Sequence, residues 1–203
     1  MAITYKMDWY EEEVTHLEKE SLKNGFDAEI IFYGSSSIRL WSNLATDFPE
    51  EKVANLGFGG STLAACVWFF NRILSNYKPK ALVVYAGDND LGDGRNPEEL
   101  FIFFQQLVVH AANTFGDIPC YFVSMKPSPN RWDLVGKFMY ANNLIETEII
   151  KNNKNWVFVD IFKKMLDKSG QPIPELYSED GLHLSEKGYL LWKETINSFL
   201  ISR

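Results

Sequence analysis

Five short and almost continuously apolar runs punctuate the chain: Glu29–Tyr33, Lys52–Leu56, Ala81–Tyr85, Cys120–Ser124 and Trp156–Asp160. No other feature constrains the fold as much. A strand with one wet face alternates polar and apolar residues. Runs this uniformly apolar, rich in β-branched and aromatic side chains, belong to strands covered on both faces. Helix-period segments lie between and around them, at Thr62–Ser75, Glu98–Thr114, Leu134–Lys151 and Ser185–Ile201. An acidic amphipathic stretch, Asp8–Lys23, is expected as an N-terminal helix packed on the outside. Strand alternating with helix predicts an α/β fold with parallel pairing through right-handed crossovers. No repeat, low-complexity tract or linker divides the 203 residues, so one domain over residues 1–203 is expected.

In such sheets ligands sit beyond the carboxyl ends of the strands, near the point where strand order reverses. The unusual loops fall there: Gly34–Ser37 after the first strand, Gly57–Thr62 after the second, Gly87–Asp93 after the third and Lys126–Trp132 after the fourth. In "IIFYGSSSIRLW", a strand stops at a glycine and three serines, which fits a turn and equally a reactive hydroxyl. In "NLGFGGST", three glycines let backbone amides approach a ligand, and they fit a tight strand-to-helix turn equally well. Thr62 occupies the last glycine position of the dinucleotide fingerprint and no Gly-Lys-Ser/Thr follows, so neither that fingerprint nor a P-loop is present. In "YAGDNDLGDG", the neutral Asn89 can donate an amide hydrogen to a developing oxyanion. An EF-hand reading fails there, because Asp93 replaces the required sixth-position glycine. The neighbouring carboxylates Asp88, Asp90 and Asp93 read as turn-forming or capping groups.

Of the three histidines, His16 and His110 fall in helical segments and read as ordinary, while His183 falls in the loop "YSEDGLHLSEKGY". Asp180, three residues earlier, can hold its Nδ1 proton and fix the tautomer. The acidic balance, with a net charge of -7, argues against a nucleic-acid partner. No apolar run approaches the length of a membrane span, and no signal peptide is legible, which points to the cytoplasm. Cys66 and Cys120 form no C-x-x-C and read as free buried thiols. Nothing in the sequence fixes an oligomeric state.

Together these loops resemble the blocks of the SGNH hydrolases, or GDSL esterase/lipase family, in family order from about Ile31 to Tyr189. The first block is Gly34-Ser35-Ser36, with Ser35 where the family usually has Asp. The second carries Gly60, the third is Gly87-Asp88-Asn89-Asp90, and the fourth is Asp180-Gly181-Leu182-His183. "KPSPNRW", Lys126–Trp132, is similar to a segment of the subfamily whose first block reads Gly-Ser-Ser-Ser. The α/β-hydrolase elbow G-x-S-x-G is absent, since Ile38 stands at its second glycine.

The resemblance implies a flavodoxin-like three-layer α/β/α sandwich on a five-stranded parallel sheet. It implies a serine esterase or acylhydrolase working through an acyl-enzyme. Ser36, Asp180 and His183 would be catalytic; Ser36, Gly60 and Asn89 would donate to the oxyanion. Neither a metal nor an organic cofactor is implied. The expected partner is a small-molecule ester, with an O-acetylated carbohydrate, a short acyl ester and a lysophospholipid open. The alternative is an inactive module on the same fold that binds a carbohydrate or a phosphorylated ligand. Lys126, Arg131, Trp41, Trp132 and Tyr177 remain open between substrate-facing and structural roles.

Overall fold

The computed structural model describes residues 7–24 and 27–201. Its strands are β1 (Ile30–Gly34), β2 (Val53–Gly57), β3 (Ala81–Tyr85), β4 (Cys120–Val123) and β5 (Trp156–Val159). They form one sheet in the order β2-β1-β3-β4-β5, and every pairing is parallel. The helices are α1 (Glu11–Asn24), α2 (Ser36–Arg39), α3 (Leu44–Asp47), α4 (Leu63–Leu74), α5 (Asp88–Gly92), α6 (Pro97–Phe115), α7 (Val135–Asn152) and α8 (Glu186–Leu200). A 3-10 turn over Met7–Tyr10 precedes α1, so the expected N-terminal helix starts three residues late. This is the expected three-layer α/β/α sandwich.

The apolar runs are continuous because both faces of the sheet are covered. In β1, Ile31 and Tyr33 join a core with α1, α4, α6 and α7, whereas Ile30 and Phe32 join a second core with α2, α3 and α8. Each such side chain stabilises the fold by about 1.5–3 kcal/mol when fully buried. Local chemistry sets the helix ends. Thr62 Oγ1 accepts from the Ala65 amide at the start of α4, and Ser185 Oγ accepts from the Gly188 amide at the start of α8. Asn96 and Glu99 make a capping box before α6, with Pro97 in its first turn.

Helix α1 lies on the outer surface as expected, with Val14 buried and Arg72 of α4 paired to Glu11 and Glu18. Cys66 and Cys120 are free and buried. Among the described residues no helix is long and apolar enough to cross a membrane. The chain reverses direction across the sheet between β1 and β3, so their carboxyl ends open the crevice in which the unusual loops meet.

Candidate active site

The chain leaves β1 through a conformation that only glycine holds easily. Gly34 has φ +139°, and a Cβ there would lie 1.9 Å from the Tyr85 carbonyl oxygen. That same oxygen accepts from the Ser35 amide at 2.9 Å, which turns the chain over the end of β3. Ser36 then opens α2, where the first amides of a helix lack intrahelical acceptors. The Ser36 amide makes no hydrogen bond among the described residues. Asn55 of β2 ties α2 in place: its Nδ2 donates to the Ile38 carbonyl at 2.7 Å and its Oδ1 accepts from the Gly57 amide at 3.1 Å. A Cβ on Gly57 would meet the Arg39 amide nitrogen at 2.3 Å, so α2 can approach β2 only over a glycine.

The His183 loop is a compact turn. The Ser178 amide donates to the His183 carbonyl, the Gly181 amide to the Ser178 carbonyl, and Tyr177 bridges Leu184. Asp180 Oδ1 accepts from the Leu182 and His183 amides, each at 2.9 Å, which aims Oδ2 at the ring. His183 Nδ1 lies 2.6 Å from Asp180 Oδ2, and His183 Nε2 lies 3.1 Å from Ser36 Oγ. With the carboxylate accepting from Nδ1–H, Nε2 carries the lone pair that faces the serine hydroxyl. Burial alone would raise the Asp180 pKa. The hydrogen bonds from the His183 ring and the two amides outweigh it and hold the carboxyl at about 2. Asp180 is therefore ionised at neutral pH. Asn130 fastens this loop to the segment after β4, donating from its backbone to the Gly181 carbonyl and from Nδ2 to the Asp180 carbonyl.

Asn89 stands in α5, after β3. Its Nδ2 donates to the Ser61 carbonyl at 3.0 Å, and its Oδ1 accepts from Arg131 Nη2 at 2.9 Å. A carboxamide held at its oxygen by a guanidinium cannot flip, so its amide hydrogens face the Gly57–Thr62 loop. Arg131 finds room because Gly92 has no side chain; a Cβ there would sit 2.9 Å from the guanidinium carbon.

Behind Arg131 lies a buried ion pair. Lys126, 1% exposed, donates to Asp88 Oδ2 at 2.9 Å, to Tyr85 Oη at 3.0 Å and to Ser37 Oγ at 3.2 Å. Burial opposes ionisation of Asp88, but the charges of Lys126 and Arg131 outweigh that and lower its pKa. Asp88 is thus the acceptor of a buried lysine and no turn carboxylate. Asp90 does cap a helix, accepting from the Leu63 and Ala64 amides at the start of α4, and pairs with Arg95 at 2.7 Å.

Gly60 has φ +64°, and nothing lies within 4 Å of where its Cβ would be. Backbone conformation is therefore what calls for glycine, more than crowding. Its amide makes no hydrogen bond among the described residues. Gly60 adjoins Ser61, whose carbonyl holds Asn89.

Ser36, His183 and Asp180 thus form one hydrogen-bonded chain, and Gly60 and Asn89 are joined through Ser61. The arrangement can pass a proton from an alcohol to an imidazole backed by a carboxylate, with free amides on neighbouring loops. Among the described residues no cluster of three or more His, Cys, Asp or Glu could hold a metal ion. Trp41 and Tyr177 are buried and form core, whereas Trp132 is half-buried. The structural roles of Asn55, Lys126 and Arg131 escaped sequence reading because their partners lie on other loops. The one local signal was that Lys126 and Arg131 follow a strand's carboxyl end.

Residues 21–191 match the GDSL-like lipase/acylhydrolase family. Comparison with curated proteins gives no match. Among solved structures, a Streptococcus pneumonia protein described as a candidate platelet activating factor superposes with a TM-score of 0.81 at 18% identity, covering 95% of each chain. A GDSL-like lipase from Bacteroides thetaiotaomicron gives 0.72 at 20% identity, covering 97% of this chain and 98% of that one. A mutant acetyl-xylooligosaccharide esterase from Geobacillus Stearmophilus gives 0.67 at 14% identity, covering 86% and 94%. At these identities the likeness is one of fold.

Proposed function

The chain belongs to the GDSL-like lipase/acylhydrolase family, and on that premise we propose that it is a serine esterase whose nucleophile is Ser36. Family membership supports an ester hydrolase in general. The serine mechanism rests on one observation above all, the continuous run of hydrogen bonds from Ser36 Oγ through His183 to Asp180. A module that only binds its ligand has no use for an oriented base.

A serine hydroxyl is a weak nucleophile until a base takes its proton. In the proposed reaction Ser36 Oγ attacks the ester carbonyl while His183 Nε2 accepts the hydroxyl proton. Asp180 holds the ring and stabilises the imidazolium. The carbonyl π electrons move onto oxygen, where the Ser36 and Gly60 amides and Asn89 Nδ2 donate to the charge. Such preorganised donors are each worth about 10²–10³ in kcat. Collapse breaks the bond to the alkoxide, which leaves as the alcohol with the proton from His183. Water then attacks the acyl-enzyme while His183 takes its proton, and a second collapse breaks the bond to Ser36 Oγ, which regains the proton from His183 as the carboxylic acid is freed. No step calls for a metal or an organic cofactor.

The substrate is a small carboxylic ester: an O-acetylated carbohydrate, a short acyl ester or a lysophospholipid. The fold shared with an acetyl-xylooligosaccharide esterase supports including the first of these. A panel of p-nitrophenyl esters of increasing chain length, acetylated xylose and a lysophospholipid separates the classes. Ser36→Ala and His183→Ala should each abolish turnover of p-nitrophenyl acetate while the circular dichroism spectrum stays that of the parent protein. Parental rates in Ser36→Ala would eliminate the mechanism.

A further inference from the structure

An oxyanion donor must be held to within about 0.5 Å to do its work, and Gly60 has little of its own to hold it. It is exposed and lies outside every helix and strand. The nearest turn bond, from the Ser61 amide to the Phe58 carbonyl, is long at 3.4 Å. Two side chains of the N-terminal segment bracket the peptide that carries the Gly60 amide. On one side, Glu13 Oε2 accepts from the Gly59 amide at 2.8 Å. On the other, Tyr10 Oη donates to the Gly60 carbonyl at 3.1 Å. The Tyr10 ring stands edge-on to Phe58 and Phe69, with centroids 5.5 and 6.2 Å away, so its hydroxyl is aimed by core packing. Glu13 is steered from the other flank by Arg39 of the nucleophile's own helix, at 3.7 Å. A Cβ on Gly59 would lie 2.8 Å from Glu13 Oε1, so the bare backbone at Gly59 lets the carboxylate come this close.

We propose that Tyr10 and Glu13 are positioning residues, through which the 3-10 turn over Met7–Tyr10 and the start of α1 fix the Gly60 amide for the oxyanion. The inference rests on the esterase reading and adds to it two residues that precede the family match, which begins at residue 21. Neither side chain touches the reacting atoms. Both act through the backbone of the glycine loop, one pinning its entry and the other its exit.

The test compares Tyr10→Phe, Glu13→Ala and Glu13→Gln with the parent protein on p-nitrophenyl acetate. Active sites are counted by fluorophosphonate titration. Misplacing a catalytic group by about 1 Å can cost about 10²-fold, and loosening one donor of three should cost less. Tyr10→Phe and Glu13→Ala are expected to lower kcat per titrated site about tenfold with little change in KM. Inhibition by a trifluoromethyl ketone, whose adduct carries the oxyanion, should weaken by the same factor. Glu13→Gln keeps an oxygen acceptor for the Gly59 amide and should recover most of the rate.

A merely structural helix predicts something else: lower Tm with unchanged kcat per titrated site and unchanged ketone affinity. That result would overturn the proposal. Absence of turnover and of labelling in the parent protein would instead strike the esterase reading, and this inference with it.

Discussion

In the proposed mechanism Ser36 depends on a lone pair: with Asp180 Oδ2 accepting from Nδ1–H, His183 Nε2 faces the hydroxyl. The Asn89 carboxamide poses the same problem of orientation, because its two ends differ in hydrogen-bonding sense and only one can serve an oxyanion. Arg131 resolves it by donating to Oδ1. Replacing Arg131 with Ala frees the carboxamide to turn, and steady-state kinetics should show kcat reduced about tenfold, short of the full loss of a donor. Arg131→Lys should not restore it, since one ammonium cannot copy a planar fork that also lies 3.5 Å from Asp88. An undiminished kcat in Arg131→Ala would separate Arg131 from the site. Ser36, Asp180 and His183 could be nominated from the sequence because each sits in a short motif, and the structure brings the three into one run of hydrogen bonds. Arg131 could not, because its meaning lies in a partner 42 positions away in the chain.

Among the elements, the strands were the easiest to read and the loops that join their ends the hardest. Every predicted run became a strand, with no end displaced by more than a residue, because burial on both faces leaves an unbroken apolar signature. The α1 boundary moved because a 3-10 turn occupies its first residues. Lys126 follows β4, a position from which a solvated loop charge or a substrate contact looked equally reasonable. It is instead a buried clasp that ties the end of β4 to the ends of β1 and β3, holding Ser37 after β1, Tyr85 at the end of β3 and Asp88 just beyond it. Removing one partner of a buried pair leaves an uncompensated charge. Urea denaturation of Lys126→Met should show a loss of about 3–5 kcal/mol. A change of less than about 1 kcal/mol would mean that Asp88 can be satisfied without the lysine.

On the scale of the whole molecule, the parallel sheet gathers loops that are remote in sequence onto one edge. Ser36 and His183 are 147 positions apart and meet across the crevice at the reversal of strand order. Besides the family resemblance, sequence could foretell that meeting through the alternation of strand and helix, which dictates that successive loops emerge on the same side of the sheet. The convergence makes Ser36 the one hydroxyl of the triplet that faces a base, with Ser37 committed to Lys126. Treatment with a fluorophosphonate followed by peptide mapping tests this most directly. The account predicts one adduct per chain, on Ser36, with esterase activity lost in proportion to labelling and no adduct in His183→Ala. An adduct on Ser35 or Ser37, or full activity in a stoichiometrically labelled protein, would contradict it.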